Sequence, residues 1–225
     1  MKLVHILGFV AELFMPAMVL LLVYIMRPEK DKQLRLVIIY TACCLAIYTV
    51  TVIFSLNKVR NLYIYHFFSL FEFAILGYYL LGLIQKRQNT PLFYISITAY
   101  FILWVVNIIF FEPLTSFNCN TAGIACLLLL LMCMFHLLSL SKGEEILYFQ
   151  NLPSFWIVSG IMVYAALSLL VYLSYTYYII TEKKDEGNDL WNIASVATII
   201  KFALISVGLL CYKRKQPSSQ PSLSS

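Results

Sequence analysis

The chain has 225 residues, of which 61% are hydrophobic and 12% charged, against roughly 25% charged residues in an ordinary globular domain. That balance excludes a soluble domain and points to a membrane protein. The formal charge of +5 would suit nucleic acid, but the basic residues lie scattered in short stretches between apolar runs; no basic face forms, and a nucleic-acid partner is not expected.

A span needs about 20 largely apolar residues. Seven stretches meet that length: Leu3 to Met26, Leu36 to Leu56, Leu62 to Ile84, Leu92 to Phe111, Thr121 to Leu140, Phe155 to Ile180 and Leu190 to Tyr212. The first is too long for a signal-peptide core and has no small-residue cleavage site, so it reads as a retained span. The connections are short, which makes consecutive helices antiparallel neighbours. The expected fold is therefore all-α, an integral membrane seven-helix bundle with one transmembrane domain over residues 1–213. The tail over 214–225, rich in Ser, Pro and Gln, is expected to be disordered.

Lys and Arg collect in cytoplasmic connections. Arg27, Lys30, Lys32, Arg35, Lys86, Arg87, Lys142, Lys213, Arg214 and Lys215 fall on one side, against Lys2, Lys58, Arg60, Lys183 and Lys184 on the other. Ten against five predicts N-terminus out and C-terminus in. The six cysteines (Cys43, Cys44, Cys119, Cys126, Cys133 and Cys211) show no metal-ligand spacing and lie almost all within spans; free thiols are expected.

Three charges interrupt the apolar spans. Lys201 is the twelfth residue of the seventh span, Glu72 the eleventh of the third and Glu12 the tenth of the first. A centred lysine costs about 3 kcal/mol on insertion scales, so it should face protein or water and have a partner. The three spans enter from the same face, and at 1.5 Å rise per residue the charges share one depth within a few ångströms. Two acids for one base leave a net negative charge, which a proton, a cation or a ligand amine would offset.

Helical spacing groups Tyr65, Ser69, Glu72 and Tyr79 into one polar stripe, with His66 on its flank. His5, Gly8, Glu12 and Pro16 share a face of the first span. Pro16 removes the hydrogen bond to the carbonyl of Glu12 and should kink the helix beside that acid. Around Lys201 stand Ala194, Ala197, Thr198 and Gly208, small residues that allow close helix approach. The candidate ligand-binding or ion-pair residues are thus Glu72, Lys201, Glu12, His66 and Tyr65. No catalytic constellation or metal site is discernible, and no cofactor is implied. His5, His66 and His136 read as buried, hydrogen-bonded histidines before they read as haem ligands. Pro153 and Ser154 mark a helix start, with Ser154 as a candidate cap; Trp104, Trp156 and Trp191 suit interfacial belts, and EEILYFQ a short interfacial helix.

YHFFSLFEFAILGYY, NLPSFWIVSGIMVYAALSLLVYL and LWNIASVATIIKFALISVGLL resemble an uncharacterised bacterial family of small seven-transmembrane-helix proteins over nearly the whole chain. The matching positions are Tyr65, His66, Glu72 and Phe73 in the third span and Ile199, Ile200 and Lys201 in the seventh. The resemblance implies the topology and brings no activity. A seventh-helix lysine with a third-helix carboxylate also looks like the rhodopsin plan, but Ala197 stands where microbial rhodopsins carry an Asp, and their third-helix and sixth-helix signatures are missing; retinal binding is a minor alternative.

The function these features favour is a non-enzymatic receptor or sensor in which the Glu/Lys centre binds a small polar ligand, with the lipid bilayer around it. The sequence offers no effector domain, so the signal is expected to pass to a separate cytoplasmic or membrane partner. The alternatives are a small proton- or ion-coupled transporter or channel and a purely structural membrane subunit, in which Glu72 or Glu12 only neutralises Lys201.

Overall fold

The computed structural model describes residues 3–26, 32–84, 90–141, 150–180 and 184–214. Among them there are helices and short turns and no strand. We number the helices by span. α1 comprises Leu3–Phe9, a π-helical turn Val10–Phe14 and Met15–Met26; α2 is Lys32–Leu56, α3 Leu62–Leu83, α4 Thr90–Phe110, α5 Cys119–Leu140, α6 Pro153–Ile180 and α7 Lys184–Arg214. Six of these carry stretches long and apolar enough to cross a bilayer, and α4 supplies a shorter apolar stretch, Tyr94–Phe110. A multi-pass membrane protein would have this composition and this architecture.

Every expected span is a helix, and the differences lie at the ends. α2 starts four residues early and takes in Lys32 and Arg35. α7 starts at Lys184, ahead of the apolar run, with Asp185 and Glu186 in its first turn, a position that the helix dipole favours for acidic residues. Pro153 is the first residue of α6, where its fixed φ and missing N–H are harmless. Ser154 therefore sits inside the first turn and is no cap. The EEILYFQ stretch, except its last residue, and the tail from residue 215 lie outside the described residues.

The principal helix contacts join α1 to α2, α2 to α3, α3 to α5, α5 to α6, α6 to α7 and α7 back to α1. Six helices thus close a ring. α4 stands outside it, attached to α3 and α5, and exposes Tyr94, Ile95, Ile102, Ile109 and Phe110 while burying Tyr100, Trp104 and Asn107. An apolar face of that kind belongs in lipid.

The tightest seam is between α6 and α7. A Cβ on Gly160 would meet the Lys201 carbonyl oxygen at 2.9 Å, and one on Gly208 would meet the Pro153 carbonyl oxygen at 2.9 Å. Two glycines, one from each helix, let the backbones approach that closely. The close approach fixes where the Lys201 side chain leaves α7. All six cysteines are unpaired.

Candidate functional site

Lys201 projects from α7 into the ring and is fully buried, and Glu72 on α3 is 7% exposed. The Lys201 Nζ lies 3.0 Å from Glu72 Oε1 and donates to the Tyr40 hydroxyl at 2.7 Å. Tyr40, on α2, in turn donates to Glu72 Oε1. Tyr164, on α6, donates to Glu72 Oε2 at 2.9 Å, and its ring covers the ammonium with the centroid 3.4 Å from Nζ. Four helices therefore meet at one satisfied polar knot: both carboxylate oxygens accept, and the ammonium has two oxygen acceptors and an aromatic face. A buried charge is tolerated on those terms.

Glu12 does not join this knot. It lies in the π-helical turn of α1, where the Met15 N–H bonds the Val10 carbonyl five residues back. The turn stands directly before Pro16, which has no N–H to return to Glu12. The backbone thus meets the proline by inserting a residue into a wide turn, and π-turns of this kind recur at functional positions. Among the described residues Glu12 has no hydrogen-bond or ion-pair partner. A shared depth lets three charges meet only where their helices are neighbours, and Glu12 does not reach the other two. α1 packs on α2 and α7, whereas Lys201 points across the ring toward α3.

Glu12 lines instead a cavity of about 650 Å³ in the half of the bundle that holds the start of α1 and the ends joined by the α2–α3, α4–α5 and α6–α7 connections. Gly8 and Ala11 stand beside it on α1, and Ala194, Ser195 and Thr198 face it from α7. Neither Glu72 nor Lys201 lines this space; Tyr48 and Tyr164 do, at its inner end. Tyr164 is consequently shared, its ring in the cavity wall and its hydroxyl on Glu72.

The outer part of the cavity is aromatic. Phe117, from the α4–α5 connection, sits 4.7 Å from the Trp191 ring, 5.6 Å from Tyr175, 5.9 Å from Tyr65 and 6.3 Å from Tyr172, centroid to centroid. That connection is itself pinned. Glu112 accepts from Asn107 Nδ2 at 2.8 Å and from the Asn120 N–H at 3.0 Å, an acid at the α5 N-terminus where the helix dipole favours it. Asn118 donates to the Tyr65 carbonyl and to Ser69 Oγ, each at 3.0 Å.

Of the residues singled out in sequence, Tyr65 and Glu12 line the cavity, and Glu72 and Lys201 form the knot. His66 belongs to neither. It is buried, with Nε2 3.1 Å from the Ser116 carbonyl, and so ties α3 to the α4–α5 connection. His136 is buried on α5 with no hydrogen-bond partner at either ring nitrogen, contrary to the satisfied histidine expected. The His5 side chain lies outside the described residues. Trp104 is buried and Trp191 half-buried, each packed against neighbouring helices. The Trp104 indole donates to the His66 carbonyl at 2.8 Å, and Trp191 stacks in the aromatic cluster. Tyr40 and Tyr164 went unnoticed in sequence. The one available hint was that Tyr164 is the tenth residue of its span, away from the ends where aromatic belts lie; Tyr40, the fifth of its span, offered none.

The geometry can do two things chemically: hold four helices in register through the knot, and offer a ligand-sized chamber with one unpaired carboxylate. No protein-family model, curated protein or solved structure matches the chain.

Proposed function

We propose that this protein is a multi-pass membrane receptor or sensor, without enzymatic activity, whose cavity between α1, α2, α3, α6 and α7 binds a small polar ligand. The observation that carries the reading is Tyr164. A ligand that presses on its ring bears on the hydroxyl that holds Glu72, and through the knot on α2, α3 and α7. The knot couples those helices because any displacement of one partner leaves a buried charge less well paired. The cavity volume is within the range of about 300–1,000 Å³ typical of small-molecule sites. On the positive-inside count the cavity faces outward, in a bacterial inner membrane, and the signal leaves through a partner chain on the cytoplasmic side.

Native mass spectrometry of the protein purified in mild detergent tests this. A co-purifying small molecule present on the wild type and lost from E12Q supports the reading. An empty wild type that a broad metabolite panel does not stabilise against heat overturns it in favour of a structural subunit. Flux of a solute or of protons into liposomes, abolished by E12Q, overturns it in favour of a transporter.

A further inference from the structure

The chemistry of the cavity wall narrows the ligand, on the premise that the cavity is a binding site as read above. Among the described residues, Glu12 is the only charged one lining it. Beyond the wall, Lys201 is paired with Glu72 at 3.0 Å and screened by the Tyr164 ring, and Lys58 and Arg60 of the α2–α3 connection are exposed. The chamber is therefore electronegative: one carboxylate without a partner, with no cation among its described walls to neutralise it. An anionic ligand would add like charge to that space, and a neutral one would leave Glu12 to be answered by a proton, whereas a cation answers the carboxylate directly.

The remaining walls select among cations. Tyr48, Tyr65, Phe117, Tyr172, Tyr175 and Trp191 present aromatic rings, and the last four with Tyr65 form one connected cluster with centroid separations from 4.7 to 6.4 Å. Ring faces attract a cation electrostatically and do so best when it is a weakly hydrated ammonium. A hard metal ion needs about six oxygen ligands at close range, and one carboxylate among rings does not supply them. Ser55 and Ser168 line the same space and offer hydroxyls to a hydroxyl or carbonyl elsewhere on the ligand, whereas the Thr198 hydroxyl and the Asn61 amide already donate to the Ala194 and Thr51 carbonyls.

We propose that the cavity is a site for an organic cation, an amine or quaternary ammonium, whose charge is balanced by Glu12 and whose body lies among the Phe117, Tyr172, Tyr175 and Trp191 rings.

The test is calorimetric titration of the full-length protein, in a detergent without amine or choline groups, with choline, with its neutral carbon isostere 3,3-dimethyl-1-butanol and with acetate. Choline is expected to bind at least about tenfold more tightly than its neutral isostere, the discrimination a charge-assisted contact gives. E12Q, whose amide keeps the shape of the side chain, is expected to erase that preference, and W191L to weaken choline about tenfold while leaving Glu12 in place. Equal binding of choline and its isostere, or a preference for acetate, overturns the cation assignment and leaves the receptor reading standing. Failure of all three probes at millimolar concentration overturns the cation assignment for ligands of this size, and the broad panel described above then decides the receptor reading separately. Repeating the titration in nanodiscs of phosphatidylglycerol alone and with phosphatidylcholine added identifies the source. Competition by the added lipid assigns the cation to a headgroup, and its absence assigns it to a soluble molecule.

Discussion

Replacing Lys201 by methionine leaves the Glu72 carboxylate with two tyrosine hydroxyls and no counter-charge in a site only 7% exposed. Removing one member of a buried pair costs about 3–5 kcal/mol, because the survivor stays desolvated. K201M and E72Q are each expected to lose stability on that scale in thermal unfolding of the detergent-solubilised protein. The quadruple variant K201M/E72L/Y40F/Y164F should recover most of the loss, since apolar side chains of similar volume leave neither a charge nor a buried hydroxyl stranded; a quadruple variant as unstable as the sum of the singles would show that the knot adds net stability beyond satisfying itself. Y164F removes only the hydroxyl on Glu72 Oε2 and should cost about 1.5–3 kcal/mol, the range for a hydrogen bond to a charged group. At this scale the sequence was half legible. A charge inside an apolar run is conspicuous, so Lys201 and Glu72 stood out and do meet. Tyr40 and Tyr164 are two of 16 tyrosines, and nothing in residue type separates a hydroxyl that closes a polar knot from one that faces lipid.

Helices were the most legible elements, because a bilayer demands long apolar runs and the chain supplies them; what sequence could not reveal is where those helices touch. Gly160 is a case in point. Small residues on the Lys201 face of α7 were visible, but their partner on α6 follows only from the pairing of the two helices. An added methyl there would stand 2.9 Å from the Lys201 carbonyl oxygen, inside contact distance with backbone that has no easy way to give. G160A is expected to force α6 and α7 apart at a cost of about 1–3 kcal/mol. G123A, where the methyl would meet Tyr172 and Leu169 at 3.8 and 3.9 Å, should be neutral or stabilising in the same unfolding assay, as Ala is the better helix former. A similar reading applies to α1. Pro16 was expected to bend the helix beside Glu12, and the backbone answers with the π-turn Val10–Phe14. P16A restores an N–H able to bond the Glu12 carbonyl, so the turn can revert to α-helix. Losing the inserted residue rotates the segment before it by about 100° relative to Met15–Met26, which carries Glu12 off the cavity wall. P16A should therefore keep or raise the unfolding temperature while sharply reducing carbodiimide protection of Glu12 by choline.

The whole molecule is a closed ring of six helices with α4 attached outside, and the cavity is in one half of that ring. The chain's polarity in the membrane then decides which compartment the cavity samples. The basic residues outside the apolar runs divide ten to five between the two sides, and the side with five also carries Glu182, Asp185, Glu186 and Asp189 ahead of the apolar part of α7. Positive charge near span ends resists translocation, whereas acidic residues contribute little to orientation. The majority side should stay cytoplasmic, which puts the C-terminus in and the N-terminus, Trp191 and the mouth-side aromatic cluster out. Fusions to the C-terminus measure this directly: green fluorescent protein, which folds in the cytoplasm, should fluoresce there, and alkaline phosphatase, which needs the periplasm to form its disulfides, should stay inactive. The reverse pair of results would turn the bundle over. The Glu12 chamber would then sample the cytoplasm, and a ligand acting on Tyr164 would report an internal amine, with the partner that receives the signal on the opposite face. Moving Lys86 and Arg87 to acidic residues is the sharper version of the same measurement. If the lysine and arginine count sets the orientation, that change erodes the bias by two charges and should give a mixed population of fusions; an unaltered orientation would place the determinant in the first helix and its flanking charges.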